Sequence, residues 1–174
     1  MTSYKAIIGL GNPGRPYYHH RHSIGFRVLD ALASAHGGVW QKRANTEHAE
    51  IKIHNAPVML IKPQTFMNDS GAVIPLLTKK GIRAEQVLVV HDELEKPFGY
   101  ISITIGGSAK GHNGLRSIIQ YLGMDFARLK FGIGRPEHKE DVGVYVLSNF
   151  TQMEESILAS LIAQAVSHIE KAYE

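Results

Sequence analysis

Val87-Leu88-Val89-Val90 contains no polar position, the pattern of a strand buried on both faces of a sheet. Residues 4–10 form a second, largely apolar run, closed by Gly11-Asn12-Pro13-Gly14, and predict a strand followed by a turn. Residues 24–35 place Phe26, Leu29, Leu32 and Ala33 at helical spacing and stop at Gly37-Gly38. Residues 50–54 and 58–62 predict two strands joined as a hairpin through Asn55-Ala56-Pro57. A helix starting near Asn68 carries Val73, Leu76 and Leu77 and ends by Gly81. In residues 100–105, Ile101, Ile103 and Ile105 alternate with Ser102 and Thr104, predicting isoleucines inward and hydroxyls outward. Residues 114–122 predict a short helix and residues 129–133 another strand. Thr151-Gln152-Met153-Glu154 is a capping-box sequence, opening a helix with the apolar stripe Ile157, Leu158, Leu161, Ile162, Ala165 and Ile169.

Strands alternating with helices predict an α/β fold, a mixed twisted sheet flanked by helices on both faces. No repeat, linker or low-complexity tract interrupts the chain, so residues 1–174 read as a single domain. In such a sheet, functional loops lie beyond the carboxyl ends of the parallel strands, at a switch in strand order. Asn12, Asn68 and Asp92 each follow a predicted strand.

Composition narrows the class without naming a reaction. A chain of 174 residues, 44% hydrophobic, needs no metal or disulfide to complete a core. There is no cysteine, which removes thiol chemistry and suits a reducing compartment. The opening Met1-Thr2-Ser3-Tyr4-Lys5 precedes too short an apolar run for a signal sequence, and no segment has the length of a membrane span. A soluble cytoplasmic protein is expected. The net charge of +3 permits a polyanionic partner without requiring one. Among ten histidines, most are expected to be surface residues.

Gly9-Leu10-Gly11-Asn12-Pro13-Gly14 matches the dinucleotide-binding pattern G-x-G-x-x-G. That fingerprint needs a helix opening at once, but Pro13 and Pro16 flank the last glycine and the next helical pattern starts near Ile24. The acid that should bind a ribose, Asp30, falls inside the first helix. A rigid turn presenting Asn12 fits better than a nucleotide cofactor.

Polar side chains concentrate next to glycine or proline in three places. These are residues 11–23, the segment Pro63-Gln64-Thr65-Phe66-Met67-Asn68, and the pair His91-Asp92-Glu93-Leu94 with Gly111-His112-Asn113-Gly114. Together they offer a histidine, a carboxylate and several amides to one cleft. Such a set suits water attacking an acyl carbon. A neutral imidazole takes the proton, a carboxylate fixes its tautomer, and amides steady the oxyanion. No serine stands in a G-x-S-x-G elbow, so direct attack by water is favoured over a covalent intermediate. His22 also fits a helix-capping role beside Ser23, Asp92 a turn acceptor, and the asparagines ordinary turn residues. His19-His20-Arg21-His22 with His91 and His112 invites a metal, but no pair has the H-E-x-x-H spacing and adjacent histidines point apart. No metal and no cofactor are expected. His19, His20, His91 and His112 read as supporting or surface residues.

These segments, together with Lys62-Pro63 ahead of Gln64, Asp69-Ser70-Gly71 after Asn68, Leu129-Lys130-Phe131-Gly132-Ile133-Gly134-Arg135-Pro136 and Tyr145-Val146-Leu147, resemble the bacterial-type peptidyl-tRNA hydrolase family, in its order and approximate spacing. The resemblance implies cleavage of the ester between a peptide and the 3′-terminal ribose of tRNA, recycling tRNA from stalled or prematurely released peptidyl-tRNA. It implies a cytoplasmic monomer acting on peptidyl-tRNA, with no DNA or membrane partner and no cofactor. Carried over by motif, His22 is the proton acceptor that activates water and Asp92 holds it in its basic form. Asn12 helps to distinguish N-blocked from free aminoacyl ends. Tyr17, Phe66, Asn68 and Asn113 contact the acyl-tRNA end, with Met67 packed beside them.

The chain departs from the family on the RNA side. Members commonly carry basic residues on the strand before the glycine loop, as part of a clamp on a tRNA phosphate, where this chain has Ser102 and Thr104. Lys130 keeps one basic position, and Lys110 adds a charge where glycine is usual. The clamp is therefore expected to be weaker, or rebuilt from Lys110, Lys130 and Arg135. A second reading is a non-catalytic RNA-binding relative of the same fold, akin to plant-organelle splicing factors. Such a protein would be expected to enlarge its partner surface, whereas this chain is only mildly basic and keeps the whole His/Asp/Asn set.

Overall fold

A computed structural model describes residues 3–174; Met1 and Thr2, part of the opening read as leaderless, lie outside the described residues. Seven strands form one sheet in the order β2-β3-β4-β1-β5-β7-β6. They are β1 (Ala6–Gly9), β2 (Gln41–Arg43), β3 (Thr46–Ile53), β4 (Ala56–Pro63), β5 (Val87–Glu93), β6 (Ile101–Ile105) and β7 (Ala127–Gly132). β4, β1, β5 and β7 run parallel; β3 pairs antiparallel with β4 and β2, and β6 with β7. The helices are α1 (Ile24–Ala35), α2 (Ile74–Lys79), α3 (Asn113–Leu122), α4 (Val142–Val146) and α5 (Gln152–Lys171). None among the described residues is long and apolar enough to cross a membrane.

Alternation along β1 explains the two-sided core. Ile7 packs with α1 and α5, while Ala6 and Ile8 face the opposite side with Ile74, Leu77 and Ile118 of α2 and α3. The chain passes from β1 to β4 on one side of β1, then crosses to β5 on the other. β1 is thus the switch in strand order, and the crevice beyond its carboxyl end opens between the loops after β1, β4 and β5.

Two glycines bring α1 onto that crevice. A Cβ on Gly25 would stand 2.5 Å from both Leu10 N and Val90 O, and one on Gly9 would stand 2.4 Å from Gly25 O. Strand and helix therefore meet backbone to backbone, which seats the start of α1 at the ends of β1 and β5. Packing, rather than pyrophosphate binding, accounts for Gly9 and Gly25. Asp30, misplaced for a ribose-binding acid, accepts from Lys62 Nζ at 2.6 Å and from the Tyr18 hydroxyl.

Several expectations change in detail. The hairpin turns at His54-Asn55, both left-handed (φ 48° and 68°), and Pro57 already pairs with Lys52. A two-residue turn of this hand matches the twist of its strands. The segment after Phe66 winds first as a 3-10 helix, Met67–Val73, before α2. The capping box at Thr151 forms as expected, its hydroxyl accepting from Glu154 N at 3.1 Å. Ile157 is about half exposed, whereas Leu158, Leu161, Ile162, Ala165 and Ile169 are buried, because α5 presents a narrower face to α1 and the sheet. Ile105 is 80% exposed at the end of edge strand β6. Ser102 and Thr104 do not present outward hydroxyls; their oxygens are shielded and unpartnered, in register with Lys130 and Arg128 of β7.

Candidate active site

His22 sits in a 3-10 turn, Arg21–Ser23, that links the loop after β1 to α1. The turn is anchored from behind. Arg21 donates to Tyr145 O and to Glu154 Oε1, each at 3.2 Å, and its guanidinium lies 4.0 Å over the Tyr145 ring. Ser23 occupies the N-cap position of α1, but its side chain makes no cap bond. Its hydroxyl instead accepts from Asn12 N at 3.1 Å, tying the glycine turn to the base of the helix.

With the turn fixed, the buried His22 ring faces the buried carboxylate of Asp92 near the end of β5. Its Nδ1 lies 3.1 and 3.0 Å from the two Asp92 oxygens, across 70 residues of sequence. A carboxylate only accepts, so Nδ1 carries the hydrogen and Nε2, across the ring, is left with a lone pair. Nε2 has no hydrogen-bond partner among the described residues, and His22 lines a cleft of about 200 Å³. Burial pushes the His22 imidazole toward neutrality, but the charge and hydrogen bond of Asp92 outweigh it and hold the pKa above the ordinary 6.5. Burial would raise the Asp92 carboxyl, yet attraction to His22 and His112 and the hydrogen bonds from both keep it far below the usual carboxylate range.

Two more histidines close around Asp92, nearer than a supporting or surface reading implied. His112 Nε2 lies 2.8 Å from Asp92 Oδ1, and its Nδ1 accepts from the N–H groups of Gly114 and Leu115 at the start of α3. His91 donates from Nδ1 to the Asp92 carbonyl at 2.8 Å. Burial drives its pKa down to about 3, so the ring is neutral. The sequence signal for His112 was its place before Asn113-Gly114, an N-cap position; its reach to Asp92 had no local signal.

His22, Asp92 and His112 offer ligand atoms within 4.8 Å of one another. Their hydrogens argue against a metal there. Because His112 Nδ1 accepts two backbone N–H groups, its hydrogen stands on Nε2, the nitrogen a metal would need bare. These residues fit a hydrogen-bonded relay better than a ligand set.

The same cleft is lined by Asn113, Lys110 and Lys130, with Arg128 beneath the glycine loop. Asn12, Tyr17, Phe66 and Asn68 do not line it. Asn12 Oδ1 accepts from Met67 N at 2.8 Å, which fixes the side-chain amide with its NH₂ free to donate. Tyr17 and Phe66 meet edge to face at 6.2 Å, and Phe66 is 61% exposed. Asn68 is exposed, one residue beyond the buried Met67. Asn113 opens α3 and its Oδ1 accepts from Arg116.

Arg135 does not join the cleft. It pairs with Glu95 on the surface, which leaves Lys110 and Lys130 as the lysines that line the cleft. The sequence motifs assign no role to Arg128. It is buried, stacks 4.3 Å over Phe126 and donates to the carbonyls of Gly107, Ser108 and Met124, pinning the glycine loop. Its signal was present in Ala127-Arg128-Leu129-Lys130-Phe131, whose alternation sets both basic residues on one strand face.

Comparison with known proteins identifies the family. The family model described as peptidyl-tRNA hydrolase matches residues 6–174. A peptidyl-tRNA hydrolase from Rubrobacter xylanophilus is 47% identical over 140 residues, covering 80% of this chain and 78% of that protein. One from Aquifex aeolicus is 42% identical over 173 residues, covering 98% and 90%. The crystal structure of peptidyl-tRNA hydrolase from Acinetobacter baumannii superposes with a TM-score of 0.93 at 36% identity, covering 98% of this chain and 88% of that one. Nothing in these likenesses supports the non-catalytic alternative. By sequence along nearly its whole length and by fold, the chain belongs to the peptidyl-tRNA hydrolase family.

Proposed function

We propose that this enzyme hydrolyses peptidyl-tRNA by activating a water molecule at Nε2 of His22. The observation that carries this mechanism is the His22–Asp92 pair, with Nδ1 committed to the carboxylate and Nε2 free in the cleft. Water bound at Nε2 loses its proton as its oxygen attacks the acyl carbon of the ester. Asp92 steadies the imidazolium that results. Asn113 and Asn68 supply neutral amide donors for the tetrahedral oxyanion. The proton then passes from His22 to the departing 3′ oxygen of the ribose, giving free tRNA and a peptide acid and restoring the neutral base.

Asn12 reads the amino end of the acyl group. With Oδ1 occupied by Met67 N–H, it presents only donors. The carbonyl of a blocked amino group can accept such a hydrogen bond, whereas a free ammonium is itself a donor. Tyr17 and Phe66 offer an aromatic surface to the terminal nucleotide. Residues 1–174 act as one domain, as a cytoplasmic monomer whose partner is peptidyl-tRNA rather than DNA or a membrane.

The test is hydrolysis of N-acetylated against unblocked aminoacyl-tRNA. The acetylated form is expected to turn over roughly two- to tenfold faster, the equivalent of one hydrogen bond to a neutral donor. Equal rates would remove the role given to Asn12.

Lys110 and Lys130 are proposed to neutralise tRNA phosphate. Each phosphate contact contributes a slope of about −0.9 to log K against log salt on a duplex. Lys130→Ala is expected to weaken tRNA binding and flatten that slope by about one unit. Unchanged binding from low to high salt would refute the contact.

A further inference from the structure

His112 is engaged through both ring nitrogens. Nδ1 accepts from Gly114 N at 3.1 Å and Leu115 N at 3.3 Å, capping α3, and Nε2 lies 2.8 Å from Asp92 Oδ1. An imidazole nitrogen that accepts backbone N–H groups carries no hydrogen. The helix start therefore dictates the tautomer, and the single ring hydrogen must point at Asp92. The ring is held on its other sides too. It stands 4.8 Å from the His22 ring and 5.3 Å from the His91 ring, and its side chain is almost wholly buried.

Asp92 is thus a carboxylate with two imidazole donors. His22 reaches it from the turn before α1, His112 from the turn before α3, and His91 N–H holds its own carbonyl. Arg128 and Lys130 of β7, Glu93 of β5 and Lys110 of the glycine loop complete the charged groups of the cleft.

We propose that His112 is a positioning residue for the reaction: α3 fixes its Nε2–H tautomer, and that hydrogen aims Asp92 at His22 and moderates its pull on the His22 proton. This rests on the reading of His22 as the base. A carboxylate sharing its charge with a second donor is a weaker attractor for the first. Without His112 the Asp92 charge acts on His22 undivided, so the His22 imidazolium is stabilised and its proton is retained to higher pH. The base then becomes available only at higher pH, and a carboxylate held by one imidazole instead of two aims it less well.

His112→Asn separates this role from simple capping. Asparagine keeps a good N-cap acceptor for Gly114 and Leu115 but ends one bond short of Asp92. At metal-bound histidines, loss of the supporting partner costs about 10- to 100-fold in activity, and a comparable fall in kcat is expected here. KM should change less than about threefold, since no substrate contact is removed. The acid limb of the kcat/KM profile should move upward by about half a unit, with the thermal midpoint nearly unchanged. Nitrogen-15 spectra of the unmodified enzyme should show His112 Nδ1 bare and Nε2 protonated, a readout that needs no variant to fold. Overturning results are a His112→Asn enzyme with unchanged kcat and an unmoved acid limb, or a protonated Nδ1. His22→Ala assayed alongside keeps the two readings apart. Full activity there removes the base itself, whereas an inactive His22→Ala beside a silent His112→Asn removes only the role of His112.

Discussion

His22→Ala is expected to lower kcat/KM for peptidyl-tRNA by about 10²- to 10⁴-fold, the range of a general base. Neither of the other two histidines around Asp92 can take over. His91 has its Nδ1–H committed to a carbonyl and its other nitrogen shielded, and His112 has both nitrogens in use. The variant should keep its fold, because Arg21 and Ser23, not the imidazole, anchor the turn. Residual activity would then report what the amides and substrate binding supply alone. The pH profile of the unmodified enzyme gives an independent check. Asp92 holds the His22 pKa above 6.5, and only the neutral ring accepts a proton. Activity should therefore decline as pH falls through a midpoint above 6.5, and in His22→Ala that limb should vanish. Rates on N-acetylated aminoacyl-tRNA across this range, with circular dichroism to verify folding, decide the matter. A fully active variant would remove His22 as the base.

Asp92→Asn should cost as much, up to about 10⁴-fold in kcat by the precedent of a catalytic histidine left in the wrong tautomer. The reason lies in the two imidazoles. Asp92 receives N–H groups from His22 and His112 on carboxylate oxygens that can accept both. An asparagine has one oxygen, so its NH₂ must confront one of these donors. His112 cannot yield, since Gly114 and Leu115 N–H groups occupy its other nitrogen. The oxygen therefore stays with His112 and the NH₂ faces His22. His22 responds by moving its hydrogen to Nε2, which removes the lone pair that should accept a proton from water. Loss of the carboxylate charge also leaves burial to lower the His22 pKa, so any residual acid limb should shift to lower pH. Single-turnover rates, which isolate chemistry from product release, are the appropriate measurement. A loss under tenfold would mean that Asp92 does not set the tautomer.

Much of the architecture was legible from local pattern. The apolar run of β5, the capping box of α5 and the helical spacing of α1 each reflect interactions within a few residues, and all form. His22, Asp92 and Asn12 stood out because they flank glycine and proline at predicted strand ends, where a resemblance could give them roles. The failures have a common origin. Ile105 and Ile157 fit their periodicities but are exposed, because each pattern extends past the surface that the neighbouring element covers. Ser23 fits an N-cap, but the loop after β1 competes for its hydroxyl and wins. Arg135 is as basic as Lys130, yet Glu95 lies beside it and the cleft does not.

The sequence alone determined which side chains were available for acyl hydrolysis and which periodicities would build the sheet and its flanking helices. Only the tertiary structure decided which of ten histidines share one carboxylate. Side-chain period, caps and turns are local and follow from neighbouring residues. The meeting of His22, Asp92 and His112 depends on strand order, on glycines that let α1 touch β1, and on where α3 begins. His22 was nameable as a candidate base from its motif; its Nδ1 contact with Asp92, its raised pKa and the second imidazole on the same carboxylate exist only in the folded chain.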